Sequence, residues 1–192
     1  MEDEKEKIFT IIQNYLKKPP VVIWGSGATV PFGLPSMWSL NESIKKQIPE
    51  FDQTNENLEI ELGKDEYRDL MPQIRKIIWD EISKVDKKVL EDFLVSDSKI
   101  DGIKKLVEKI SDAHPKVVNI ITTNYDRIIE YVLSFYNITF TDGFLGKDLS
   151  IFDENLFSTK NIVNLVKVHG SLNWFELGSE ARYLNNNFKG SI

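Results

Sequence analysis

The sequence of 192 residues contains no cysteine. That excludes disulfides and any thiolate metal site, structural zinc included. Histidine is nearly as scarce: with only His114 and His169 present, an all-histidine metal centre is not expected either. No apolar run approaches the roughly 18 residues that a membrane-crossing helix needs. The start, Met1-Glu2-Asp3-Glu4-Lys5, is acidic and polar and does not read as a signal peptide. A basic surplus is also missing. The 24 Lys and Arg against 30 Asp and Glu leave a net charge of −6, with both signs interspersed, which argues against an electrostatically driven nucleic-acid binder. An anionic cofactor stays open, because backbone N–H groups hold phosphate without any Lys or Arg. These absences predict a soluble, cytoplasmic protein with no metal, no membrane contact and no direct nucleic-acid partner.

What is present fits one globular domain with an excursion at most. Ile8, Ile11, Ile12, Tyr15 and Leu16 recur at helical spacing, so residues 4–17 read as an amphipathic helix that Pro19-Pro20 ends. Residues 20–24 form a short apolar run between proline and glycine, the pattern of a strand buried on both faces. A Gly- and Pro-rich loop follows to Pro35. A helix is then expected over 37–47 with Ser36 as its cap. Residues 50–66 read as a polar surface loop. Residues 66–113 read as helices in three pieces, the first through Ile82, the second near 87–95, the third over 99–112. Strands are expected at 116–121, 137–141 and 161–168, and a helix at 125–136. Residues 142–161 read as loop, and the end of the chain as a polar tail. The fold class that follows is α/β, a Rossmann-like, mostly parallel sheet. Its core covers about 1–36 and 116–192, and a helical insertion covers about 37–115.

Three apolar runs end in polar punctuation. After the first come Gly25, Ser26, Gly27, Ala28 and Thr29. Glycines there can let backbone approach a pyrophosphate; a plain strand-to-helix turn would look the same. The third glycine of the dinucleotide fingerprint is missing, since residue 30 is Val. After the second run come Thr122, Thr123, Asn124, Tyr125 and Asp126. One such residue is explained by helix capping; an amide and a carboxylate together also suit ribose hydroxyls or a carboxamide. After the third come His169, Gly170, Ser171, Leu172, Asn173 and Trp174. With an unperturbed pKa near ~6.5, His169 can serve as a general base near neutral pH. His114, beside Pro115, reads as a partner of a helix C-terminus. Ligands of parallel sheets bind at the carboxyl ends of the strands, where all three clusters are expected. Trp24, Trp38 and Trp174 lie near them in sequence and suit either core packing or a wall against a cofactor ring.

In order and spacing these motifs resemble the sirtuin family, in its zinc-free bacterial antiphage-defence branch. Gly25-Ser26-Gly27-Ala28-Thr29 is similar to the sirtuin Gly-Ala-Gly-x-Ser loop, Gly33-Leu34-Pro35-Ser36 to Gly-Ile-Pro-Asp, Thr122-Thr123-Asn124-Tyr125-Asp126 to Thr-Gln-Asn-Ile-Asp, and Val168-His169-Gly170 to the strand end with the catalytic His-Gly. The resemblance implies an NAD-binding domain with NAD as substrate. Residues 25–29 would cradle the phosphates, and Gly33, Leu34 and Pro35 would line a loop around the nicotinamide ribose. Thr123 would join Asn124, Asp126 and His169 in contacting the cofactor. Asn124 would orient the ribose or the attacking water, Asp126 would bind the carboxamide, and His169 would act as base or steer the nucleophile. The implied activity is NAD hydrolysis to nicotinamide and ADP-ribose, as an effector of antiviral defence by NAD depletion. Such domains form homo-oligomers and answer to a sensor domain or partner protein outside these residues. The chain departs from the protein-deacylating branch in lacking the four-cysteine zinc module. It also carries no visible Gly-Thr/Ser loop for the adenosine ribose. The sheet is therefore expected to be incomplete at its C-terminal edge, and the chain to be the N-terminal part of a longer protein. The alternatives are an NAD-dependent protein deacylase and a non-catalytic NAD- or ADP-ribose-binding assembly module.

Overall fold

In the computed structural model, which describes residues 2–17, 21–51, 58–95, 100–112, 118–146, 149–158 and 162–184, the three apolar runs become adjacent parallel strands. They are β1 (Val21–Trp24), β2 (Val118–Thr122) and β6 (Val163–Lys167), and the two-residue β3 (Phe140–Thr141) closes the sheet in the order β1-β2-β6-β3. Every pairing is parallel. Register aligns Trp24 with Thr122 and Thr122 with Lys167, so the first three strands end at one level. The chain is thus a mixed α/β protein with a four-stranded, all-parallel sheet.

This sheet belongs to the first of two compact units, Met1–Trp24 with Ser96–Ile192; the second is Gly25–Val95. In the first unit, α5 (Asp101–Asp112) precedes β2, and α6 (Ile128–Phe135) makes the crossover between β2 and β3 that parallel strands require. Both helices pack on one sheet face, where Trp24, Ile120, Val107, Ile110 and Ile129 line a common apolar space. Ile128, Ile129, Val132 and Leu133 of α6 are each at most 1% exposed, so this helix is the centre of the core. It stops at Asn137, whose left-handed backbone (φ 56°) lets the Ile138 N–H return to the Leu133 carbonyl at 2.8 Å. The opposite sheet face is more open. Val21 and Ile23 point there and are exposed, and Asn164 Nδ2 donates to Asn119 Oδ1 across two strands. The N-terminal helix α1 spans Glu2–Leu16, with Ile8, Phe9, Ile11, Ile12 and Tyr15 exposed.

Two expectations for this unit are corrected. Residues 142–161 are not simply loop: β4 (Phe144–Leu145) and β5 (Leu149–Phe152) pair antiparallel, and a 3-10 turn covers Glu154–Ser158. The polar tail likewise begins as a hairpin, β7 (Trp174–Leu177) and β8 (Glu180–Leu184), joined through Gly178 at φ 68°, the positive φ that a tight hairpin turn needs. Together they form a second sheet, β4-β5-β8-β7. Its anchor is Phe144, whose ring packs 4.8 Å from Trp174, 5.4 Å from Phe152 and 5.6 Å from Tyr183. His114, Pro19-Pro20 and residues 185–192 lie outside the described residues.

The second unit is helical. Two 3-10 turns, Ser26–Ala28 and Val30–Phe32, lead to α2 (Met37–Gln47). Ser36 caps α2 as expected, its Oγ accepting the Ser39 N–H at 3.2 Å, and Lys45 and Lys46 face the negative end of the helix dipole. Helix α4 (Met71–Val95) is one continuous helix of 25 residues where two segments were expected. Nothing between Ile82 and Lys87 breaks it, and Ile74, Ile77, Ile82, Val89 and Phe93 stay buried along one stripe. The expected surface loop at 50–66 is corrected too. Phe51 and Leu58 are each 2% exposed, Leu58–Leu62 is helix α3, and Phe51 packs on Tyr67 with ring centroids 4.8 Å apart. Glu61, fully buried, survives there because Lys64 binds its carboxylate at 2.8 Å.

Candidate functional site

The loops after β2 and β6 meet at the carboxyl end of the parallel sheet. Leu172 N–H donates to the Tyr125 carbonyl at 3.0 Å, and Ser171 Oγ reaches the same oxygen at 3.5 Å. The ring centroids of Tyr125 and His169 are 6.3 Å apart. The second and third sequence clusters are therefore brought together within one compact unit.

Burial within this pair of loops alternates. Thr122, Asn124 and Asp126 point inward, while Thr123, Tyr125 and His169 are exposed. Asn124 is held from within, its N–H donating to Thr122 Oγ1 at 3.0 Å. Asp126 Oδ1 accepts the Ile128 N–H at 3.2 Å, an Asx turn that leads the chain into α6, whose N-cap is Arg127. The helix begins at Ile128 rather than at the expected Tyr125. One carboxylate oxygen thus has the bland role of closing a turn, in a side chain that still lies at the strand end.

Below this turn sits a buried ion pair that reading the sequence missed. The Lys167 side chain, the last of β6, is fully buried; its Nζ donates to Glu130 Oε1 at 2.6 Å and to the Asp126 carbonyl at 2.5 Å. Burial pushes the Glu130 carboxyl above the ordinary carboxylate range, and the neighbouring Lys167 ammonium pulls it back. Glu130 Oε2 has no partner among the described residues. A signal was available. Val163, Leu165 and Lys167 share one face of β6 by strand alternation, so a lysine stands at a core position, and Glu130 is the one charged residue of the mostly apolar α6. Two further groups lie nearby. Burial raises the Asp142 carboxyl, whose Oδ1 accepts the Phe144 N–H, while Lys167 draws it down. Burial also raises the Tyr183 phenol, and the charges of Asp142 and Glu130 add to that.

The first cluster opens the second unit. Gly25 continues directly from β1, and Thr29 is buried, its Oγ1 donating to the Ser26 carbonyl at 3.1 Å. Neither Gly25 nor Gly27 stands at a backbone conformation that requires glycine. Gly25 is extended, at φ −104° and ψ 175°, neither glycine has positive φ, and a Cβ on either would touch nothing within 4 Å. Gly33 does need to be glycine, for it sits at φ 92° and closes the second 3-10 turn. Leu34 is 5% exposed and belongs to the core of its unit, and Pro35 is half-buried. Among the tryptophans, Trp24 is buried in the sheet core, Trp174 packs on Phe144, and Trp38 and Trp79 are exposed.

Among the described residues no group of His, Asp or Glu is arranged to hold a metal ion, and no helix is long and apolar enough to cross a membrane. Fold and site together define an α/β protein with an all-parallel sheet and a polar loop pair at its carboxyl edge. No protein-family model matches the chain, and no curated protein matches it significantly.

Proposed function

We propose that this chain is a Rossmann-like NAD hydrolase of sirtuin type. The observation that supports it most is the junction of the β2 and β6 loops through the Tyr125 carbonyl, which joins the segment carrying Asn124 and Asp126 to the one carrying His169. In this reading the nicotinamide–ribose C–N bond breaks, and the bonding electrons leave with nicotinamide, which becomes neutral. Water adds to the anomeric carbon and loses its proton, giving ADP-ribose. The cationic, oxocarbenium-like sugar asks for a held leaving group and an oriented nucleophile more than for a strong acid. Asp126 holds the carboxamide, Asn124 orients the ribose or the water, and His169 accepts a proton from a ribose hydroxyl or steers the water. Thr123 supplies a further cofactor contact; the roles of residues 25–29 and 33–35 are those that the sequence resemblance alone implies. Water is favoured over an acyl-lysine as nucleophile because the cysteines of the deacylase zinc module are absent. A cytoplasmic antiviral effector that depletes NAD, works as a homo-oligomer and answers to a sensor outside this chain completes the proposal. Ile23, 83% exposed on a face that all-parallel sheets usually cover, supports association.

Asn124→Ala and His169→Ala are each expected to abolish nicotinamide release from NAD while the protein stays folded by circular dichroism. Turnover retained in both purified variants would remove these residues from the chemistry. The burial of Asn124 and the turn-closing bond of Asp126 favour a second reading, a non-catalytic NAD- or ADP-ribose-binding module. Calorimetry that detects binding by a wild-type protein without turnover would select it.

A further inference from the structure

We propose that Lys167 is a positioning residue: its buried ammonium fixes the Thr122–Asp126 turn against the end of β6, setting Asn124 and Asp126 relative to His169. The value of this placement rests on the NAD reading above; the positioning itself does not. Lys167 closes β6 in register with Thr122, two residues before His169. From there Nζ reaches across to the Asp126 carbonyl at 2.5 Å. On its other side the same turn is held by Leu172 N–H at the Tyr125 carbonyl. The turn that presents Asn124 is thus gripped at two consecutive carbonyls, both times from the β6 side. Glu130, one helical turn beyond Asp126, neutralises the ammonium at 2.6 Å and keeps it aimed.

Stability alone does not account for a lysine here. Its strand neighbours on the same face, Val163 and Leu165, are apolar and buried, and replacing a buried ion pair by apolar residues of similar volume is often neutral or stabilising. What such a replacement removes is the donor to the Asp126 carbonyl. A misplacement of about 1 Å in groups that orient a reactant is enough to cost on the order of 100-fold in rate.

The test is the paired variant Lys167→Met/Glu130→Leu in the full chain, which leaves no unpaired buried charge. Amide exchange followed by NMR is expected to quicken at least about tenfold at Asn124 and Ile128, whose N–H groups are bonded inside the turn, with Ile120 and Leu165 in the strands unchanged. Nicotinamide release is expected to lose at least about tenfold in kcat with KM within about threefold. Glu130→Gln, which leaves the Lys167 donation to Asp126 in place, is expected to keep the turn protected. If the paired variant does not fold, Lys167→Met and Glu130→Gln decide the matter, because only the lysine change should loosen the turn. Equal exchange at Asn124 and Ile128 in wild type and in the lysine variants overturns the proposal. A loosened turn with unchanged kcat overturns its link to catalysis. A wild-type protein without NAD turnover overturns the NAD reading and leaves the exchange result to judge the positioning.

Discussion

Gly25 has an extended backbone and open space where a side chain would go, so nothing in its own unit requires glycine. Gly25→Ala should therefore leave the fold intact, or stabilise it slightly by about 0.4–1 kcal/mol through the unfolded chain. If residues 25–29 line a pyrophosphate, the same methyl group intrudes on the ligand, and NAD affinity should fall about tenfold or more. Thermal melts alongside NAD titrations separate the two effects; unchanged affinity would return this loop to an ordinary strand-to-helix turn. Asp142 raises a different question, of charge rather than space. Burial lifts its folded pKa above the unfolded value, so the fold binds this proton more tightly than the unfolded chain does. Ionisation then costs stability as pH rises from the ordinary value of about 3.9 through the folded pKa, and the full cost is present above that window. Asp142→Asn keeps an oxygen for the Phe144 N–H and removes the charge. It is expected to raise the melting temperature at pH 7 and to give no gain at acid pH, below the unfolded pKa. A destabilised variant at pH 7 would mean that the attraction to Lys167 outweighs desolvation.

Elements with a full signature were legible in the sequence. Helix α2 covers the expected 37–47 with Ser36 as its cap, and β1, β2 and β6 follow the apolar runs. Ser36→Ala should cost about 1 kcal/mol, the usual loss for an N-cap hydroxyl, read as a lower urea midpoint at unchanged slope; no change would mean that water caps α2 equally well. Strands β4, β5, β7 and β8 escaped notice because they are two to five residues long and mix polar with apolar positions. Their pairing is set by Phe144 and its aromatic neighbours, contacts that link residues distant in sequence. Helix α4 reads from the sequence as two segments, to Ile82 and from about 87, yet the buried stripe from Ile74 to Phe93 runs through both. At the candidate site, Asn124, Asp126 and His169 stand out in the sequence by their position past an apolar run and by the sirtuin resemblance. The Lys167–Glu130 pair was passed over because a strand of apolar residues hides one lysine, although strand alternation gave it a core position.

At the scale of the whole chain, the second unit is an unbroken segment, Gly25–Val95, while the first is assembled from two separated stretches. That difference has a consequence for folding. The continuous unit carries its own core, with Leu40, Ile44, Phe51, Leu58, Ile74 and Phe93 all buried. It also carries its own local stops: the Ser36 cap, the left-handed Gly33 and the buried Glu61–Lys64 pair. These contacts close within one unbroken stretch of chain, which limits the loop entropy they must overcome. A fragment of residues 25–95 should therefore be helical by circular dichroism and unfold cooperatively. A core of this size supplies only about 3–5 kcal/mol, so the midpoint in urea should be low and the transition broad. Ser36→Ala should cost the fragment and the full chain the same free energy, since the cap bond lies wholly inside the fragment; at the fragment's smaller urea slope this is a larger fall in its midpoint. A fragment that is helical but melts without cooperativity would show that the core of this unit is completed by the rest of the chain. One that is unfolded would assign its helices no independent stability at all.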